Sequence, residues 1–125
     1  MPRDAVTITL PYLPPRSLSP NGRAHWAERY RDAQAMMNHV IILVLEAGKP
    51  PKPFERATLT MRWEAKDRRR RDYDNLLAAT KPALDGLVQG GVLVDDNTEC
   101  LSLVLEYAGG QAQDAVVMTV RKALG

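Results

Sequence analysis

Four stretches of strand-type residues are interleaved with two helix-forming runs, and proline or glycine punctuates nearly every join. That order leaves few architectures open. Val6-Thr7-Ile8-Thr9-Leu10 alternates and is rich in β-branched side chains, which predicts a first strand. Pro11, Pro14, Pro15 and Pro20-Asn21-Gly22 then impose a loop. From about Ala24 to Ala47 helix formers dominate, until Gly48 and Pro50-Pro51 stop the run. Met36, Met37, Val40, Ile41, Val44 and Leu45 recur at helical spacing and predict its core face. Ala57-Thr58-Leu59-Thr60-Met61-Arg62-Trp63-Glu64 alternates as a second strand. A second helix is expected from Asp74 to about Gln89, ended by Gly90-Gly91 and kinked or restarted at Pro82. Cys100 to Tyr107 and Ala115 to Arg121 predict two more strands, and Gly109-Gly110 between them predicts a hairpin. The order β-α-β-α-β-β predicts an α+β fold, a mixed sheet with two helices packed on it.

At 125 residues the chain is expected to be one domain, residues 1–125, with no room for a second core. The single Cys100 excludes an internal disulfide, and its neighbours Leu101 and Leu103 predict a buried, reduced thiol. The N-terminus has no apolar leader segment, and the longest apolar run, Val40 to Leu45, is too short to span a bilayer. A cytoplasmic protein without a membrane partner is expected. No CxxC, HExxH, G-x-S-x-G or P-loop pattern is present, so no nucleotide cofactor is expected.

The net charge of +2 says little, but its distribution says more. Seven basic residues and only Glu64 and Asp67 as acids fall between Arg56 and Arg71. From Pro82 to Val120 there is no Lys or Arg, against six acids. A concentrated positive field on a nearly neutral chain suits a specific anionic partner. Its centre is Asp67-Arg68-Arg69-Arg70-Arg71-Asp72-Tyr73-Asp74-Asn75, where four guanidinium groups adjoin two carboxylates spaced two apart. Cations hold a polyanion and spaced carboxylates hold a divalent metal, the pairing that a nuclease needs.

If the chain leaves the second strand extended, Asp72 and Asp74 face one side and invite a divalent cation. On local physics alone a plainer reading is stronger: Asp74 caps the helix and Asp72 pairs with an arginine. The helix adds weight to the first. At about 100° per residue, Asp74, Ala78, Lys81 and Asp85 share one face, opposite Leu76, Thr80, Ala83, Leu84 and Leu87. An ammonium at Lys81 near metal-bound carboxylates suits a phosphate, although an i,i+4 pair with Asp85 also explains it. Val92-Leu93-Val94 anchors Asp95-Asp96, one of which could complete an oxygen-only Mg²⁺ or Mn²⁺ site. Asp-Asp-Asn is also good turn chemistry. His25, beside Trp26, could touch a ligand or pack half-exposed, and His39 inside the first helix reads as structural.

Three linked segments carry a family resemblance: Asp67-Arg-Arg-Arg-Arg-Asp72-Tyr-Asp74-Asn75-Leu76, Lys81-Pro-Ala-Leu-Asp85-Gly-Leu87 and Gly91-Val-Leu-Val-Asp95-Asp96. Together they resemble the signature of RusA-type Holliday junction resolvases, often carried by phages and prophages. The resemblance implies a RusA-like fold and a homodimeric, Mg²⁺-dependent endonuclease of DNA recombination and repair, nicking opposed strands of a four-way junction. It implies Asp72, Asp74 and Asp96 as metal-site carboxylates and Lys81 as the catalytic lysine. Lys66, Arg68, Arg69, Arg70 and Arg71 would hold the DNA. In the family's best-known form the lysine follows the second aspartate by one helical turn, where this chain has Ala78. Lys81 keeps the family spacing to Asp85, which implies a three-residue insertion early in the helix. Two rival readings stand beside this one: a branched-DNA-binding protein without turnover, and a less selective metal-dependent nuclease.

Overall fold

The computed structural model describes residues 4–20 and 25–124. In chain order these form β1 (Ala5–Leu10), a single 3-10 turn (Arg16–Leu18), α1 (Trp26–Ala47), β2 (Ala57–Glu64), α2 (Tyr73–Ala79), α3 (Lys81–Gln89), β3 (Leu101–Ala108) and β4 (Ala115–Lys122). The fold is α+β with a mixed four-stranded sheet, as expected. The expected turn at Asn21-Gly22 and helix start at Ala24 lie outside the described residues.

Helix α1 begins where His25 can cap it: the ring Nδ1 accepts from the Ala27 amide at 3.1 Å, satisfying one of the first turn's free donors. Gly48 ends it in a positive-φ conformation that glycine adopts without steric cost. Met36, Val40 and Val44 are buried, four residues apart along one line. Leu45, expected in the core, is 60% exposed. It stands one step of about 100° beyond Val44 and so falls off the narrow line that meets the rest of the fold.

The second helical run divides in two, giving three α-helices among the described residues where two were expected. The Thr80 hydroxyl donates back to the carbonyls of Leu76 (2.9 Å) and Leu77 (3.1 Å), closing α2. Pro82 then sits in the first turn of α3, where its missing N–H leaves no bond unmade. This is the restart that Pro82 predicts. Leu76, Thr80, Ala83, Leu84 and Leu87 are all buried, as the helical spacing predicts. Gly86 lets α3 approach α1: a Cβ there would lie 2.8 Å from Val40 Cβ.

The sheet order is β1-β4-β2-β3. β2 runs parallel to β3 and antiparallel to β4, and β1 pairs antiparallel with β4. The α2–α3 segment is thus the crossover that a parallel pair requires. The hairpin expected between β3 and β4 does not form. Instead β4 lies on the other side of β2, with Glu64 opposite Ala115 and Ala57 opposite Lys122. Burial explains the choice. β4 buries Val116, Met118 and Val120, which suits an interior strand, whereas β3 leaves Ser102, Val104 and Glu106 exposed, which suits an edge. Cys100 is a free, half-buried thiol in the turn before β3, rather than buried within a strand. Among the described residues no helix is long and apolar enough to cross a membrane.

Candidate functional site

The basic run leaves β2 at a clamped exit. Ala65 donates its amide to Ala108 (2.9 Å), and residues 109–114 cross the strand end on their way to β4. Gly110 donates to the Asp67 carbonyl and Gln111 to that of Ala65, both at 2.9 Å. The Asp114 carboxylate accepts from the Lys66 amide at 2.8 Å. The segment carrying the arginines is therefore tied to the end of β3 and to the β3–β4 connection before it reaches α2.

Within it the four arginines part company. Arg71 is largely buried and donates to both oxygens of Asp67, at 2.8 and 3.0 Å. The Arg71 guanidinium, and after it the Arg69 amide at 2.9 Å, hold the Asp67 carboxyl well below the usual range, at about 2. Tyr107 completes the knot: its hydroxyl accepts from Arg71 Nη1 and donates to the Arg69 carbonyl at 3.1 Å, and its ring centroid lies 5.5 Å from the guanidinium carbon. Arg71, expected among the DNA-holding side chains, is thus committed to the protein itself. The Arg68 guanidinium lies over Gly110, where a Cβ would come within 2.7 Å of its carbon. Arg69 and Arg70 line an open cleft, and their guanidinium groups have no ion-pair partner among the described residues.

Asp72 occupies the N-cap position of α2, but its side chain makes no capping bond. Asp74 is in the first turn, where a negative charge suits the helix dipole. Both are exposed, and neither carboxylate has a hydrogen bond or ion pair among the described residues. The plain expectation of a capping Asp74 and an arginine-paired Asp72 is therefore not met. Neither is the extended geometry that would set the two side by side, because the chain turns helical at Tyr73.

Lys81 opens α3, and its ammonium donates to Asp85 Oδ1 at 3.0 Å and to Asp96 Oδ2. The i,i+4 pair that the sequence offers is present, and Asp96 is a long-range partner that it does not announce. The Asp96 carboxylate, then that of Asp85, raises the pKa of Lys81 against the opposing effect of partial burial, and Lys81 in turn lowers that of Asp96. Asp96 is brought there by the apolar anchor the sequence predicts. Val92 and Leu93 are buried, and residues 92–94 exchange backbone bonds with Phe54 at 2.8 and 3.0 Å, although Val94 itself is exposed. The turn reading holds as well: Asn97 Oδ1 accepts from the amides of Glu99 and Cys100.

Asp72, Asp74 and Asp96 are not gathered into one cluster. Among the described residues no three His, Cys, Asp or Glu side chains are grouped so as to hold a metal ion. The three-carboxylate Mg²⁺ or Mn²⁺ set that the resemblance implies does not fit this arrangement, in which Asp96 is spent on Lys81.

The cleft beside the arginines is a feature that the spacing of charges did not reveal. It encloses about 490 Å³ between the loop after β1 (Leu13, Pro14, Pro15) and the start of α2 (Asp72, Asn75, Leu76), with Trp63 of β2 in its lining. The loop is pinned to α1 by Ser17 donating to Asp32 at 2.5 Å and by the Tyr12 hydroxyl against His39 Nδ1 at 3.0 Å. His39 is structural, as expected, and His25 serves as a cap. The prolines of the loop were the only sign of this wall, and nothing local ties them to Trp63. No protein-family model matches the sequence, and no curated protein matches it.

Proposed function

We propose that the protein is a structure-specific endonuclease of the RusA kind, acting as a homodimer on four-way DNA junctions in recombination and repair. The observation that carries this reading is that Asp72 and Asp74 stand unpartnered directly after the basic run, Asp72 on the wall of the arginine-lined cleft. A protein that only held phosphates would gain nothing from bare carboxylates there, since they repel the same ligand. In hydrolysis, water attacks phosphorus and the leaving oxygen departs with a proton, so a base and a nearby cation both have work. Lys81, held as an ammonium by Asp85 and Asp96, suits the charge that builds on the phosphoryl group. Arg69, Arg70, Arg68 and Lys66 supply contacts to the strands. A two-fold dimer suits paired cuts, because it presents two sites in opposed orientation. Dependence on Mg²⁺ or Mn²⁺ comes from the resemblance alone.

A second reading, a branched-DNA-binding protein without turnover, is favoured by the ungrouped carboxylates and by Lys81 being engaged with Asp96. One experiment separates the two. The protein is incubated with a labelled four-way junction, a linear duplex and single-stranded RNA, in Mg²⁺, Mn²⁺ or EDTA. Symmetric junction nicks that vanish in EDTA and in Asp74→Asn support the nuclease. Junction binding without cleavage under any metal sinks it in favour of the binder. Equal cutting of linear duplex or RNA would replace junction selectivity with a broader nuclease activity.

A further inference from the structure

We propose that the cleft beside the arginine run takes one unstacked nucleotide, base inward and phosphate at the rim. This rests on the proposed action at branched DNA, where bases at the exchange point lose stacking partners and cost least to extrude. The volume of about 490 Å³ is that of a small-molecule site, and its apolar lining (Leu13, Pro14, Leu76 and Trp63) suits a flat base. One polar group in the lining lacks a partner: the half-buried amide of Asn75 has no bond among the described residues, and it offers both a donor and an acceptor.

The charges fix the orientation. Arg69 and Arg70 provide cations for a phosphate, whereas Asp72 on the same lining repels a phosphate and accepts from a base amino group. A base carries an edge of donors and acceptors for Asn75, which a simple anion or an aliphatic chain does not. The wall formed by the loop after β1 is tied to α1 through Ser17 and Tyr12, so little ordering is needed on binding.

The test measures junction affinity in EDTA by anisotropy, using a fully based four-way junction and one with an abasic residue at each exchange-point position in turn. For the wild-type protein, one abasic position weakens binding about tenfold, the loss of one stacked base. In Asn75→Ala, on a half-exposed helix position, that penalty shrinks to roughly threefold or less. A penalty that is absent in the wild type, or unchanged in Asn75→Ala, overturns the proposal. A second arm uses Trp26→Phe, which leaves Trp63 as the sole tryptophan, titrated with the four deoxynucleoside monophosphates. Quenching of Trp63 fluorescence without any junction binding keeps the cleft as a nucleotide site and removes the branched-DNA reading. Junction binding with neither quenching nor an abasic penalty removes the cleft and leaves that reading standing.

Discussion

Arg71 grips both carboxylate oxygens of Asp67 and at the same time donates to the hydroxyl of Tyr107 from the neighbouring strand. One arginine of the run therefore secures the segment, and its neighbours are left to meet a ligand. The knot ties the exit of β2 to the end of β3, the two strands between which the α2–α3 crossover begins and returns.

The depressed carboxyl of Asp67 gives stability a pH signature. A group whose pKa falls on folding contributes in full above its unfolded value, here about 3.9, and the contribution is lost as pH falls through the folded value of about 2. Urea melts of wild type and Asp67→Asn should therefore differ by a constant amount above about pH 5. The gap should close between about pH 4 and pH 2, and a gap that widens on acidification would contradict the assignment.

Removing the third member of the knot tests it without touching charge. Tyr107→Phe keeps the ring over Arg71 and deletes a hydroxyl that both accepts from Arg71 and donates to the Arg69 carbonyl. A loss of about 1 kcal/mol in chemical denaturation is expected, the usual net worth of such a bond. Amide exchange should quicken at Arg69 and Gly110, whose backbone this region holds.

Gly86→Ala sets two effects against each other. Alanine in a helix interior is worth about 1 kcal/mol over glycine. Here its Cβ would lie 2.8 Å from Val40 Cβ and 2.9 Å from the Met37 carbonyl, and one of those atoms is backbone that cannot swing away. Overpacking of a tight core contact costs about 1–3 kcal/mol. The clash should win, so thermal and urea melts should show net destabilisation.

What the sequence made legible is what neighbours in the chain decide. The β2 boundaries, the stop at Gly48, the restart at Pro82 and the buried face of Leu76, Thr80, Ala83, Leu84 and Leu87 all follow from period and local backbone chemistry. The placement of β4 does not, because Gly109-Gly110 permits a tight turn and only competition for the edge of β2 rules it out. The pairing of Asp96 with Lys81 does not follow locally either, since it joins two anchored segments 15 residues apart. Nor does the separation of Arg71 from its neighbours, since it depends on Tyr107, 36 residues away. The Asp67–Arg71 spacing of four was the one local hint.

Lys81→Ala tests the proposed chemistry at little structural cost. The side chain is more than half exposed, so losing its pairs should change stability by no more than about 1 kcal/mol. Loss of a positioned cation in phosphoryl transfer should slow junction nicking by about 10²–10³. Both pKa shifts favour the charged forms, so ammonium and carboxylate persist between about pH 5 and pH 9, and neither should bend the rate profile there. Equal nicking by wild type and variant would remove Lys81 from the mechanism.

The division of the arginine run predicts different outcomes for neighbouring alanine substitutions. Arg69 and Arg70 line the cleft without an ion-pair partner, so each is free to neutralise a phosphate. Junction affinity measured across a salt series should lose about one unit of slope in log K against log salt for each phosphate contact removed. Arg69→Ala and Arg70→Ala should therefore flatten that slope while leaving urea melts nearly unchanged. Arg71→Ala should do the reverse. It strands Asp67 and the Tyr107 hydroxyl, so the melt should shift while the salt slope of the folded fraction stays close to wild type. A flattened slope for Arg71→Ala with an unshifted melt would mean that its guanidinium leaves Asp67 for the DNA, and that the knot opens on binding.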